Sequence, residues 1–393
     1  MKRNYRILVL NQISAVGLRR FPQDVYQVGK DIAEPDAILV RSADMHSMDI
    51  PASVKAIGRA GAGTNNIPVK AMNARGVPVF NAPGANANAV KELVIAGLLM
   101  GARNLVPAMR FVAGLQGGDG LDARVEDGKK QFAGMELAGH TLGVIGLGKI
   151  GSLVADAGIK LGMQVIGYDP HITVEAAWTL PSQVKRAHSI AEVLHASHFV
   201  SLHVPLVPET RGIIDAAALD AARQGLVLLN FARDAIVDEQ AVLHAFETRK
   251  LKYYITDFPT AALLHHPCVV ALPHLGASTR EAEENCAVMV VDQVREYLED
   301  GCIRNAVNFP DVVMAREAPY RVAIANANVP NMVGQISTAM ARAGLNIHNM
   351  VNKSKGEMAY TLVDVDSPVP DQVVQDIARI DGVLSVRYIP VEQ

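Results

Sequence analysis

Cysteine is scarce in this 393-residue chain, with Cys268, Cys286 and Cys302 its only examples. Their separations match no zinc-ligand pattern. An odd, low count suits free thiols in a reducing cytoplasm rather than a disulfide scaffold, and no metal is expected. Long apolar runs are missing as well. None reaches the ~18 residues of a membrane-spanning helix, and the apolar stretch in MKRNYRILVL is too brief for a signal peptide and reads as a first strand. Neither sign of charge is in excess: 37 Lys and Arg stand against 40 Asp and Glu, a net charge of −3. That balance gives no electrostatic footprint for nucleic acid or an anionic membrane surface. Low-complexity tracts and short-period repeats are also absent. What the chain does have is apolar residues, 50% of the total, and a length that suits two or three domains with cores of their own.

One stretch organises the rest. In HTLGVIGLGKIGSLVADAGIKLGMQVIGYDP, from His140 to Pro170, a short apolar run leads into Gly146-Leu147-Gly148-Lys149-Ile150-Gly151. A helix-like segment follows, then a second apolar run ending at Asp169. This is GxGxxG in the setting it requires, strand, tight turn, helix and strand. Gly146 permits the turn, Gly148 leaves a pyrophosphate free to approach the helix N-terminus, and Gly151 lets helix and strand pack closely. Asp169 lies 18 residues past Gly151. A carboxylate there accepts from ribose hydroxyls and repels a 2′-phosphate, which favours NAD over NADP.

Around this stretch the pattern is α/β. Residues 1 to about 90 alternate strands (Arg6–Leu10, Ala37–Val40, Ala56–Arg59, Val77–Phe80) with helices. Arg41-Ser42 and the glycine-containing Arg59–Asn66 each follow a strand, where ligands of open α/β sheets gather. Val90–Val106 is apolar nearly all round and reads as one buried helix crossing between domains, and 107–138 reads as a surface excursion. Strands recur at Phe199–Val204, Leu226–Asn230, Tyr253–Thr256 and Cys268–Leu272, continuing a doubly wound sheet. Ser278 with Glu281 fits a capping box for a helix carrying Ala282, Cys286, Met289, Val290, Val294, Tyr297 and Leu298 on one face and ending near Gly301. Residues 306–319, with Pro310 and Pro319, read as a linker. The remainder orders as βαββαβ, a ferredoxin-like unit with no catalytic constellation.

Hydride transfer involving a keto acid needs a cation for the carboxylate and a proton donor at the carbonyl oxygen. Arg233 and His274 each stand just past a strand of the nucleotide-binding half. Arginine clamps carboxylates bidentately, and histidine exchanges a proton near neutral pH. His265 and His266 lie close by in sequence and compete for the same reading. Taken alone, His274 reads more readily as a structural histidine in a turn after Pro273, and Arg41 has a solvated surface cation as its plainer alternative.

GLGKIG…YDP, LHVPLVPET, LNFARDAIVDEQAVL and PHLGAST, in this order, resemble the D-isomer-specific 2-hydroxyacid dehydrogenases over residues 1 to about 305. The C-terminal unit, with Asn326-Ala327-Asn328-Val329-Pro330, resembles an ACT domain. The resemblance implies two doubly wound parallel-sheet domains, a Rossmann NAD domain (91–276) inserted in a flavodoxin-like substrate domain (1–90 and 277–305), a linker (306–319) and a ferredoxin-like ACT domain (320–393). It implies Arg233 on the substrate carboxylate and His274 as acid/base. Cofactor contacts would fall at Gly146, Gly148, Lys149, Ile150, Gly151, Asp169, His203, Pro205, Thr210, Asn230, Ala232, Asp257 and Gly276, and substrate contacts at Arg41, Ser42, Gly63, Asn65 and Asn86. Together with the ACT-like unit it implies oxidation of a phosphorylated substrate, 3-phosphoglycerate, to 3-phosphohydroxypyruvate at the start of serine synthesis. L-serine would be the effector between subunits, at Asn326, Asn328 and Asn346 of a homodimer or homotetramer.

Two departures stand out. Asn326 occupies a position where serine-inhibited members have histidine. Ala261, in Thr256-Asp257-Phe258-Pro259-Thr260-Ala261-Ala262, occupies the position of a glutamate that holds the catalytic histidine. Without that carboxylate His274 is expected to lose its proton at lower pH, unless Asp257 substitutes. The alternatives are a glyoxylate or hydroxypyruvate reductase, a non-enzymatic NAD sensor suggested by Ala261, and a C-terminal unit serving only oligomerisation.

Overall fold

The computed structural model describes residues 4–391, without the side chain of Glu175. Its strands group into three sheets. The first comprises β1 (Tyr5–Val9), β2 (Tyr26–Gly29), β3 (Ala37–Val40), β4 (Ala56–Arg59) and β5 (Val79–Phe80), all parallel in the order β2-β1-β3-β4-β5. β3 is buried at all four positions, as a strand covered on both faces must be, and so reads as an unbroken apolar run. β2, YQVG, is an edge strand of mixed polarity and gave no such signal.

The second sheet comprises β6 (Thr141–Ile145), β7 (Gln164–Tyr168), β8 (Lys185–Arg186), β9 (Phe199–Leu202), β10 (Leu226–Asn230), β11 (Leu251–Thr256) and β12 (Val269–Ala271). Its order is β12-β11-β10-β9-β6-β7-β8, and every pairing is parallel. The order reverses at β6, so the carboxyl ends of β6 and β9 flank a topological switch point, the position where such sheets bind ligands.

The third sheet is antiparallel: β13 (Tyr320–Ala327), β14 (Ile347–Lys355), β15 (Met358–Val365) and β16 (Val383–Pro390), ordered β14-β15-β13-β16. Helices Met332–Arg342 and Asp371–Ala378 cover one face, completing the βαββαβ unit read from the sequence.

The chain divides into two units, Ala87–Thr279 and the rest, Met1–Asn86 with Arg280–Gln393. In the second of these the C-terminal sheet is no tethered module. Alternate residues of its strands go to opposite sides. Val322, Ile324, Val363 and Val365 face its own helices. Ala323, Ala325, Tyr360, Leu362 and Ile389 share a core with Val290, Val294, Tyr297 and Leu298 of the helix Arg280–Asp300. The segment expected to be a linker belongs to that core through Phe309, Val312 and Met314, and Ile303 bridges Val312. Its two prolines drew attention from these apolar residues. Arg321 and Asp364, both fully buried, are joined by two hydrogen bonds (2.6 and 2.8 Å), and Arg321 also donates to the carbonyls of Asp300 and Ala315.

Three local expectations change. The helix expected over Val90–Val106 runs Ala87–Arg103, and Asn104, in the left-handed region at φ 50°, separates it from a second helix, Leu105–Ala113. Asparagine tolerates that conformation better than most residues. Only one stripe of the first helix is buried, including Val90, Val94 and Leu98, while Leu99 is 40% exposed. It lies within Ala87–Thr279 rather than crossing between domains. The expected surface excursion contains helical turns at Leu121–Gly128 and Lys129–Phe132. The helix after PHLGAST starts at Arg280, so Thr279 and not Ser278 immediately precedes it. Among the described residues no helix is long and apolar enough to cross a membrane.

Candidate active site

The glycine-rich turn joins β6 to the helix Lys149–Lys160. Gly146 has φ 89°, and a Cβ there would stand 2.6 Å from the His203 carbonyl oxygen. A Cβ on Gly151 would stand 1.9 Å from the Gly146 oxygen, so only glycine lets this helix approach the turn. Gly148 is different: a Cβ would meet nothing within 4 Å. It flanks the helix without any side-chain cap, so the N–H groups of Lys149, Ile150 and Gly151 begin a helix whose positive end is open. Open space over an uncapped N-terminus fits a pyrophosphate. The Asp169 carboxylate accepts from the Leu147 N–H (2.8 Å) and the His171 N–H (2.9 Å), which fixes it at the end of β7. Each oxygen keeps a lone pair for a ribose hydroxyl.

Beside this cradle lies the end of β9. The Ser201 hydroxyl and a His203 ring nitrogen are 2.9 Å apart, and burial pushes the imidazole pKa down to about 3, leaving it neutral. Pro205 and Thr210 form one stapled loop: the Thr210 hydroxyl donates to the Pro205 carbonyl (2.5 Å) and accepts from the Val207 N–H (2.9 Å).

At the end of β10 a buried polar network organises the arginine turn. Asn230 is fully buried. Its amide donates to the Arg233 carbonyl (2.8 Å) and the Tyr254 hydroxyl (3.1 Å), and its oxygen accepts from the Ala232 N–H (3.1 Å). This side chain, expected to contact the cofactor, also holds the 230–233 turn, and its oxygen keeps a second acceptor position. Arg233 itself is exposed, donating only to the Ala232 carbonyl (2.6 Å). Tyr254, which the sequence did not single out, completes the network from β11, where its apolar neighbours made it look like core.

Past β11, Asp257 is 1% exposed. One carboxylate oxygen accepts from the Gly276 N–H at 3.0 Å. Burial raises its pKa from the ordinary value, opposed by that hydrogen bond and by the charges of His274 and Arg233. β11 lies between β10 and β12 in the sheet, so Asp257 follows the strand flanked by the two that lead to Arg233 and His274. His274 has φ 40° and an exposed ring tilted 54° against Phe258 with centroids 4.8 Å apart. His266 is excluded by its surroundings, since its ring stacks on Phe246 and accepts from the Cys268 N–H. Ala261 and Ala262 are both exposed and carry no charge.

In the other unit Arg41 follows β3 and donates to Glu283 at 2.6 Å, so its guanidinium is held by a carboxylate 242 residues away. The Asn66 amide donates to the Ala43 carbonyl (2.7 Å), tying the Arg59–Asn66 loop to the loop carrying Arg41 and Ser42. Gly63 and Asn86 are half-buried, while Ser42 and Asn65 are exposed. In the C-terminal sheet, Asn326 is fully buried and Asn328 donates to the Gly356 carbonyl at one end. Asn346 donates to Asp366 at the other end. Ala327 pairs with Met358, whereas Tyr320 and Ile347 both pair with Val365, so the two ends are roughly 20 Å apart. One chain does not bring the three asparagines together.

Residues 95–276 match the D-isomer specific 2-hydroxyacid dehydrogenase, NAD binding domain. The chain is 33% identical over 346 residues to D-3-phosphoglycerate dehydrogenase of Methanocaldococcus jannaschii, covering 85% of this chain and 62% of that protein. It is 31% identical over 349 residues to D-3-phosphoglycerate dehydrogenase of Haemophilus influenzae, covering 85% of this chain and 81% of that protein. Among solved structures, the NAD+-bound 3-phosphoglycerate dehydrogenase of Entamoeba histolytica matches with a TM-score of 0.61 and 27% identity, over 78% of this chain and 99% of that one.

Proposed function

Because the chain belongs to the D-isomer specific 2-hydroxyacid dehydrogenase family, we propose that it oxidises D-3-phosphoglycerate to 3-phosphohydroxypyruvate with NAD, opening L-serine synthesis. The observation that carries the reading is that Arg233, Asp257 and His274 follow the carboxyl ends of the adjacent parallel strands β10, β11 and β12, with the His274 turn hydrogen-bonded to Asp257.

When bound, NAD+ supplies the hydride acceptor. Gly148 and the open helix N-terminus take its pyrophosphate, and Asp169 takes the adenine ribose. Arg233 holds the substrate carboxylate, with its turn pre-set by Asn230 so that little ordering remains to be done on binding. His274, neutral, accepts the proton of the 2-hydroxyl as hydride leaves the carbon that bears it, and in reduction the imidazolium returns that proton. Arg41 and Ser42 are assigned the phosphate, which competes with Glu283 for the guanidinium. The proposal extends to assembly as a homodimer or homotetramer in the cytoplasm. There L-serine would meet Asn326 and Asn328 of one subunit and Asn346 of another.

A substrate panel tests this. Turnover is expected with D-3-phosphoglycerate and NAD, much reduced with NADP, and serine is expected to change the rate. Arg41→Ala should lower kcat/KM for the phosphorylated substrate by about 100-fold while sparing unphosphorylated hydroxy acids, in line with loss of a charge-assisted contact. Preference for hydroxypyruvate or glyoxylate would overturn the phosphate assignment. Absence of turnover with every substrate would favour a sensor.

A further inference from the structure

The turn that carries His274 is fastened to the end of β11 at three points. The Leu272 N–H donates to the Thr256 carbonyl (2.9 Å), the His274 N–H to the Asp257 carbonyl (3.0 Å), and the Gly276 N–H to the Asp257 side-chain oxygen Oδ2 (3.0 Å). These bonds hold His274 in the left-handed region at φ 40°, a conformation uncommon for any residue but glycine, though histidine tolerates it better than most. The other side-chain oxygen, Oδ1, is buried and has no hydrogen-bond partner among the described residues. Buried carboxylate oxygens without partners are rare because the lost hydration goes uncompensated.

The positive groups that bear on Asp257 include His274 and Arg233. Tyr254, on which Asp257 and Asp234 both bear, is kept protonated by burial and is already engaged with Asn230. Arg233 leaves through its own turn, donating to the Ala232 carbonyl. Of the two, His274 is the one whose turn is bonded to Asp257, and a turn of its ring from over Phe258, the residue next to Asp257, would carry an N–H toward Oδ1.

We propose that Asp257 is the positioning residue for His274, its unpartnered Oδ1 accepting the imidazole N–H so that one tautomer and one ring orientation are held. This rests on the reading of His274 as the proton-transfer group. It supplies from beneath the ring the carboxylate that position 261 does not offer, and it makes Asp257 a part of proton transfer rather than of cofactor contact alone. A carboxylate so placed favours the imidazolium, the form that ketone reduction consumes.

Asp257→Asn keeps an acceptor for the Gly276 N–H while removing the charge and replacing the Oδ1 acceptor with an amide donor. In the full-length chain the alkaline limb of the reductive kcat profile is expected to move to lower pH, with the rate lost first on that limb. The acid limb of the oxidative profile should move in the same direction, so oxidation at neutral and higher pH is the less affected rate. Ala261→Glu added to Asp257→Asn should move the limb back. In ¹⁵N-histidine spectra, with His274→Gln identifying the signals, the wild-type ring should show a single tautomer and the Asp257→Asn ring a mixture. A rate loss that is uniform across pH, with the tautomer unchanged, would overturn the proposal. Should Asp257→Asn fail to fold, the wild-type spectrum decides alone: a ring exchanging freely between tautomers refutes the pairing. A single tautomer that Asp257→Asn loses, in a protein that does not reduce 3-phosphohydroxypyruvate, supports the pairing and sinks only the substrate assignment.

Discussion

Gly148 and Gly151 are three residues apart in one turn, and their alanine variants should fail in opposite ways. A Cβ at Gly151 would sit 1.9 Å from the Gly146 carbonyl oxygen and 3.3 Å from Val144. The first of these contacts is backbone, so no rotamer relieves it. The helix Lys149–Lys160 must move by more than an ångström to restore a normal contact. Overpacking of this kind costs about 1–3 kcal/mol. For a unit of this size, each kcal/mol lowers the melting temperature by roughly 2–4 °C, so Gly151→Ala should melt about 2–12 °C lower. A Cβ at Gly148 meets nothing within 4 Å, and φ −70° with ψ −159° is open to alanine. Gly148→Ala should therefore melt within about 2 °C of the wild type. Its methyl would occupy the approach to the helix N-terminus, and loss of about 1.4 kcal/mol or more there weakens NAD tenfold or more. Thermal melts without cofactor, paired with calorimetric NAD titration, separate the two effects. Unchanged NAD affinity in Gly148→Ala would refute the assignment of this turn as the pyrophosphate cradle, whatever Gly151→Ala does.

Three further outcomes are expected. Asp169→Asn keeps an acceptor for the Leu147 N–H but loses the charge that repels a 2′-phosphate. The NAD to NADP ratio of kcat/KM should fall at least about tenfold, and an unchanged ratio would count against the ribose role. Asp364→Asn leaves the Arg321 guanidinium buried without its counter-charge, a loss of about 3–5 kcal/mol readable in urea unfolding, and Arg321→Met with Asp364→Leu should recover most of it. His203 has its folded pKa near 3, below the ordinary histidine value near 6.5. The unfolded chain therefore binds the extra proton between those values, so stability is full above about pH 6.5 and declines as pH falls toward 3. His203→Gln should flatten that decline in urea midpoints measured against pH; an identical slope would show that the ring is not held neutral.

The legibility of this chain differs between its parts for physical reasons. GLGKIG was readable because its glycines answer to local backbone geometry, and the C-terminal unit was readable from its order of strand-like and helix-like segments. The helix Arg280–Asp300 was readable by its apolar face. β2 was not, being a short edge strand, and the break at Asn104 was not, because a single left-handed residue leaves no periodic trace. The sequence by itself determined the nucleotide cradle, the two α/β patterns and the identities of Arg233 and His274 as candidates, since each depends on neighbours within a few residues. Only the tertiary structure decided that Asp257 is buried beneath the His274 turn, that Asn230 meets Tyr254, that Glu283 holds Arg41, and that Arg321 finds Asp364. Those pairings join residues far apart in the chain, and nothing in local propensity records which distant carboxylate, amide or guanidinium a fold will bring within hydrogen-bond reach.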